Sequence, residues 1–267
     1  MSKKKEEIAV VEDNSAALAA IENEKGWDFE GDPNDILVPR ILIAQATSEA
    51  VGAGKVTPGS LFRSTNFETL AKNGEPVKII PLYMHKTWIV SHKIGERFEF
   101  LRIEPCTAQN ANLDWTWEEG GSQFKREQSL NFFCLLPADV AAEQEMLRAA
   151  REDGEIPDLD KALLPVVVSF KSTSYKSGKT LATHFGKASN YKLPAFINTF
   201  EISTEYHNND KGRYYTLNVQ SAGKTDKSYM ELCRRWYDIV SSTNVKVDEE
   251  ATPAAPAYDD TETQMQF

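Results

Sequence analysis

The sequence predicts a β-rich α+β fold, a barrel or sandwich with two or three helices and acidic termini, rather than a regular βαβ alternation. Three observations carry this expectation. Short β-branched and aromatic runs recur between turn-rich segments from residue 38 onward. Helical patterning is confined to three stretches, 138–151, 179–190 and 226–242. Both ends are acidic and poor in sustained apolar patterning, so neither can supply a packed face.

The elements follow in order. Residues 1–36 hold four Lys and ten Asp/Glu and read as a flexible acidic arm. A folded domain is expected over 37–247. VPRILIAQ (38–45) reads as a strand, with turn-rich GAGKVTPGS (52–60) after it. VKIIPLYMHKTWIVSH (77–92) is long enough for a strand that bends at Pro81, whose missing N–H favours an edge or a bulge. RFEFLRIE (97–104) and SLNFFCLLP (129–137) are further strands, with an irregular hairpin or loop over 114–128 between them. A helix over 138–151 leads to an acidic loop (152–161), then to a strand over 163–175 and a short helix over 179–190. FEISTEYH (200–207) and RYYTLNVQ (213–220) form a hairpin about Asn208 to Gly212, whose glycine suits a left-handed turn position. The helix over 226–242 closes the domain. The tail 248–267 has six acids, no Lys or Arg, and Ala/Pro spacing that keeps it extended and solvated.

Charge and chemistry narrow the function. The net charge of −10 is misleading, because each end contributes −6 and the body between them is +2. Residues 165–236 carry eleven Lys/Arg against five Asp/Glu. No apolar run approaches the roughly 18 residues of a membrane span. The start MSKKKEEIAVVEDN lacks an apolar h-region, so the expected compartment is the cytoplasm. Cys106, Cys134 and Cys233 form no CxxC pair, and the four His show no metal-ligand spacing, so buried free thiols and no metal are expected.

Enzyme motifs fail on inspection. Ser177-Gly178-Lys179-Thr180 sits between a strand and a helix, but a phosphate-binding loop needs a glycine where Thr173 stands. Asp158 and Asp160-Lys161 lie together in one acidic loop, whereas a metal nuclease projects its acids from separate elements. No Gly-x-Ser-x-Gly elbow occurs. No enzymatic activity and no cofactor are expected.

The basic stretch interleaves cations with aromatics, the mixture that binds single-stranded nucleic acid: cations track phosphates, and rings stack on bases for about 1–3 kcal/mol each. Strand alternation places Ser169, Lys171, Thr173 and Tyr175 on one polar face. It places Tyr214 with Thr216 and Asn218, opposite an apolar face of Tyr215, Leu217 and Val219. Tyr83, His85 and Thr87 share another polar face, while Trp88, with Leu82 and Met84, reads as core. Trp236 also reads as core, and Trp115 and Trp117 as pins of a loop. The cations expected along a groove are Lys171, Lys176, Lys179, Lys187, Lys192, Lys211 and Arg213, with Tyr175, Tyr191 and Tyr214 as stacking platforms and Tyr83 and His85 beside them.

The acidic tail with Asp259, Asp260 and Glu262 before a terminal Phe267, together with FEISTEYHNNDKGRYYTLNV, resembles bacteriophage single-stranded DNA-binding proteins. The resemblance implies an elaborated OB-fold-like barrel, a role in DNA replication and recombination, and a tail that recruits partner proteins and competes with DNA. The chain departs from that family in diluting the last acids with TETQMQF. Two other readings fit the composition: a phage structural or assembly protein with mobile arms that self-associates as a homo-oligomer, and an acidic DNA mimic directed at a host nucleic-acid enzyme.

Overall fold

A computed structural model describes residues 38–153, 158, 162–210 and 212–242. The predicted arm 1–36 and tail 248–267, with Lys211, Asp259, Asp260, Glu262 and Phe267, lie outside the described residues. The chain divides into two units, residues 33–137 with 164–267, and residues 1–32 with 138–163.

The larger unit is β-rich α+β, as expected. It runs β1 (Arg40–Ile43), α1 (Glu49–Gly52), β2 (Leu61–Arg63), β3 (Thr69–Ala71), β4 (Val77–Ile94), β5 (Arg97–Pro105), β6 (Thr116–Glu119) and β7 (Ser122–Leu135). After the smaller unit's α2 (Pro137–Asp153) come β8 (Val166–Phe170), α3 (Tyr175–Asn190), β9 (Asn198–Asn209), β10 (Gly212–Lys224) and α4 (Met230–Ser242). One sheet has the order β10-β9-β4-β7-β8-β1-β2-β3, with β5 added to β4 and β6 to β7. All pairs are antiparallel except β1 with β8.

The long strand β4 organises the unit. Its first residues pair with β9 and the remainder with β7. Pro81 sits at a register slip between Pro81 and Tyr83, the bulge expected of a residue that cannot donate to the ladder. The core gathers alternate residues from every side of the sheet, including Ile41, Leu61, Ile79, Phe132, Val168, Ile202 and Leu217, with Leu181 of α3 packed among them. Residues from β1, β2 and β3 thus share one core with β9 and β10, so the sheet curls round that core in barrel-like form.

Several sequence expectations are corrected. The strand predicted over 163–175 stops at Phe170, and 172–174 is a 3-10 turn that runs into α3. The helix predicted from 179 therefore begins at Tyr175. The polar Ser-Thr-Ser segment offers no β-branched packing face, and Ser174 instead accepts a hydrogen bond from the Leu217 amide at 3.0 Å. The segment 114–128 is a regular hairpin of β6 and β7 turning at Gly120-Gly121, so β7 starts seven residues earlier than its apolar run suggested. Cys134 and Cys233 are buried, whereas Cys106 is only half-buried. Burial pushes the Cys233 thiol up to about 11, and a backbone hydrogen bond opposes this.

The β9–β10 hairpin forms as expected, but its strands run further than 200–207 and 213–220, because Asn208 and Gly212 pair within the ladder rather than lying in the loop. Asn209 pairs with Gly212, whose φ of 131° lies where only glycine is unstrained. Trp88 is fully buried, as predicted, while Trp236 is half-buried rather than core. Trp117 stacks on Phe124 at 5.1 Å, and Arg126 lies 4.1 Å above the Trp117 ring. In the smaller unit, α2 carries an exposed Arg148 between Glu145 and Glu152, and Glu143 accepts the Leu163 amide at 3.0 Å.

Candidate nucleic-acid interface

Helix α3 places three of the seven predicted cations, and its cap places a fourth, Lys192. Gly178, Leu181 and Ala188 are buried, and Phe185 packs against the core. At 100° per residue, Lys176, Lys179 and Lys187 fall on the opposite side of the helix, and all three are exposed. Residues 171–200 contain five Lys and no Asp or Glu, so no carboxylate within this segment neutralises the stripe.

The end of α3 adds the most open aromatic. The amide of Lys192 donates to Ser189 O at 2.9 Å and that of Leu193 to Ala188 O at 2.9 Å, the paired bonds of a Schellman cap. Such a cap needs a left-handed residue, and Lys192 supplies it with φ 54°. The abrupt stop leaves Tyr191 78% exposed and Lys192 exposed beside it. The cap also carries the favourable meeting of lysines with a helix C-terminus.

The other predicted residues sit elsewhere. Tyr175 belongs to α3, not to a strand face shared with Lys171. Its hydroxyl donates to Gln128 Oε1 at 2.8 Å, its ring packs against the core, and Lys179 Nζ lies 5.5 Å from the ring centroid. Lys171 follows β8 and is half-buried. Burial and the neighbouring Arg40 hold its ammonium below the usual lysine range, while Glu127 opposes them. Ser172 donates to Glu127, with φ 48° at Ser172.

Tyr83 and His85 pack half-buried on the Phe133 ring, at 6.3 Å and 5.7 Å between centroids. They continue into a polar chain rather than an open platform: Asn131 Nδ2 donates to Thr87 at 2.9 Å, Ser169 donates to Asn131 at 2.7 Å, and Arg40 donates to Ser169 at 2.9 Å. Tyr214 is stacked on His207 at 5.0 Å and 18°, so one ring face is already covered. Arg213 is exposed on β10.

Sequence reasoning missed Arg40 and Glu127 as the neighbours of Lys171, because both are remote in the chain. It also missed the exposed aromatics Phe98 and Phe100 of β5, which alternation over 97–100 puts on one face. Among the described residues no cluster of three His, Cys, Asp or Glu could hold a metal ion, and no helix is long and apolar enough to cross a membrane.

No curated protein and no solved structure matches the chain. The model of one family, the Pam3 phage gp34-like proteins, matches residues 98–246, more than half of the sequence and all of α3 with its cap. This chain belongs to the Pam3 phage gp34-like family.

Proposed function

We propose that the protein binds single-stranded DNA without sequence preference, in phage-type replication or recombination. The observation that carries this reading is the α3 surface: Lys176, Lys179 and Lys187 exposed on one side of a helix, ending in Lys192 and the open Tyr191 ring, with no acid in 171–200. Lysines at these positions follow phosphates, and Tyr191 stacks on a base whose face pairing would hide in a duplex. Arg213, exposed on β10, carries the same chemistry. The connectivity supports the reading as well. Strands β4, β7, β8, β9 and β10, with α3 between the third and fourth, run in the order of an OB-type Greek-key barrel, a fold that binds oligonucleotides. Residues 248–267, with six acids and no cation, are tethered to this surface and compete for it, and DNA releases them and Phe267 to protein partners.

The test is fluorescence anisotropy of a labelled poly-dT oligonucleotide titrated at several salt concentrations. The expected result is binding that weakens with salt, with a log–log slope near −0.7 per phosphate contact, and weaker binding to duplex of the same length. Deleting 248–267 is expected to tighten it at low salt. Absence of binding at low salt, or equal affinity for duplex, overturns the proposal. Unchanged affinity on deletion removes the competing tail from it.

A further inference from the structure

Strand β5 is bonded along one edge only. β4 takes that edge, and among the described residues no strand takes the other. The free edge is nine residues long and bears Phe98, Phe100 and Leu101, each 40% exposed or more. A long apolar edge of this kind is a template for pairing with another strand.

The register of β5 identifies the strand that fits. Opposite β4, Arg102 faces Val90 but Phe100 faces Ser91, so Leu101 is an extra, bulged residue. The bulge inverts the alternation along β5. Phe98 and Phe100 share a face with Ile103, while Arg97 and Glu99 share the other with Arg102 and Glu104.

We propose that β5 pairs antiparallel with β5 of a second copy of this chain, about a two-fold axis through the bulge. In that register Phe98 lies opposite Ile103 of the second copy, Glu99 opposite Arg102, and Arg97 opposite Glu104. Every cross-strand pair is apolar with apolar or cation with anion, the combinations that stabilise adjacent strands. Sliding by two residues either way sets Arg97 against Arg102 or Glu99 against Glu104, so like charges enforce the alignment. A bulge ordinarily spoils an edge for pairing. On the axis it meets its own copy, and the parity of the two strands matches only there. The contact is isologous and closes at a dimer. Nucleic acid is a poor occupant of this arm, since residues 93–128 hold five Lys/Arg against seven Asp/Glu. Arg102 already bonds Glu104 of its own chain at 2.7 Å, and pairing adds Glu99 of the second copy on its other side.

Sedimentation equilibrium of the full chain without DNA tests this. The wild type is expected to be a dimer. Glu99→Lys and Arg102→Glu are each expected to raise the dissociation constant at least about tenfold, by setting like charges opposite each other across the axis. The double variant reverses both members of each pair and is expected to restore the dimer. Far-UV circular dichroism checks that the variants, altered at exposed positions, remain folded. A monomeric wild type, a dimer indifferent to the single reversals, or a double variant as weak as the singles overturns the proposal. None of these outcomes depends on DNA binding.

Discussion

Gln45 closes the sheet on Tyr215. Its Nε2 donates to the Tyr215 carbonyl at 2.8 Å, and the Tyr215 amide donates to its Oε1 at 3.0 Å. One side-chain amide thus reproduces the two bonds of a strand bridge, 170 residues away in sequence. Thr204 of β9 adds a second clasp by donating to Gly59 O at 2.6 Å and accepting from the Gly74 amide at 3.1 Å. Gln45→Ala leaves a part-buried donor and acceptor of β10 without partners, a loss of about 1–3 kcal/mol. Gln45→Glu keeps the acceptor but sets a carboxylate against the Tyr215 carbonyl, and is expected to cost more than Ala at neutral pH. Urea midpoints at constant m-value check both.

The glycine of Ser177-Gly178-Lys179-Thr180 has a packing role. A Cβ on Gly178 would lie 2.5 Å from Phe170 Cβ, a backbone-proximal atom of β8 that cannot swing aside. The residue lets α3 settle on the sheet. Gly178→Ala is therefore expected to destabilise by about 1–3 kcal/mol through overpacking, despite the better helix propensity of alanine. A thermal or urea melt measures it, and a variant as stable as wild type contradicts the close approach.

Local signals in the sequence were faithful where the deciding interactions are local. Pro81 marks a bulge because it lacks a donor whatever surrounds it, and the hairpin about Gly212 depends on one left-handed residue. The period-3.6 spacing of Leu181, Phe185 and Ala188 found α3, but not its start at Tyr175, which follows directly on the 3-10 turn at Ser172–Ser174. The early half of β7 was hidden because residues 122–128 are polar apart from Phe124 and become a strand by pairing with β4 and β6. For the candidate site, the lysine stripe and Tyr191 were legible from spacing and charge. The enclosure of Lys171 by Arg40 and Glu127, and of Tyr83 and His85 by Phe133, arises from strand neighbours that no local pattern encodes.

His85 makes stability depend on mild acid. Burial holds its imidazole below the usual 6.5, so the folded chain takes up the proton at lower pH than the unfolded chain does. Where the unfolded state binds more protons, stability rises with pH. This contribution is therefore complete above 6.5 and is lost progressively as pH falls from there toward the lowered folded value. Replacing the ring by His85→Gln changes the absolute stability through the Phe133 contact, so the readout is the difference curve. Wild type is expected to lose stability faster than the variant between about pH 7 and pH 5. Parallel curves contradict a buried, neutral His85.

Lys192 separates stability from binding at the interface itself. Its φ of 54° is strained for a residue with a Cβ, by about 1–2 kcal/mol, yet the Schellman bonds at 2.9 Å require that conformation. Glycine removes the strain but adds unfolded-chain entropy, so Lys192→Gly is expected to leave stability unchanged or raise it by up to about 1 kcal/mol. Lys192→Ala keeps the strain and is expected to be no more stable than wild type. If the cap presents a phosphate contact, both variants lose the same cation and both salt slopes fall by about 0.7. Melting curves beside poly-dT anisotropy at several salt concentrations give the two readouts on the same preparations. A stabilised glycine variant with an unchanged slope places Lys192 outside the path of the DNA. Equal loss of slope in both variants, with a stability gain in glycine alone, shows a strained cap retained for the charge it carries.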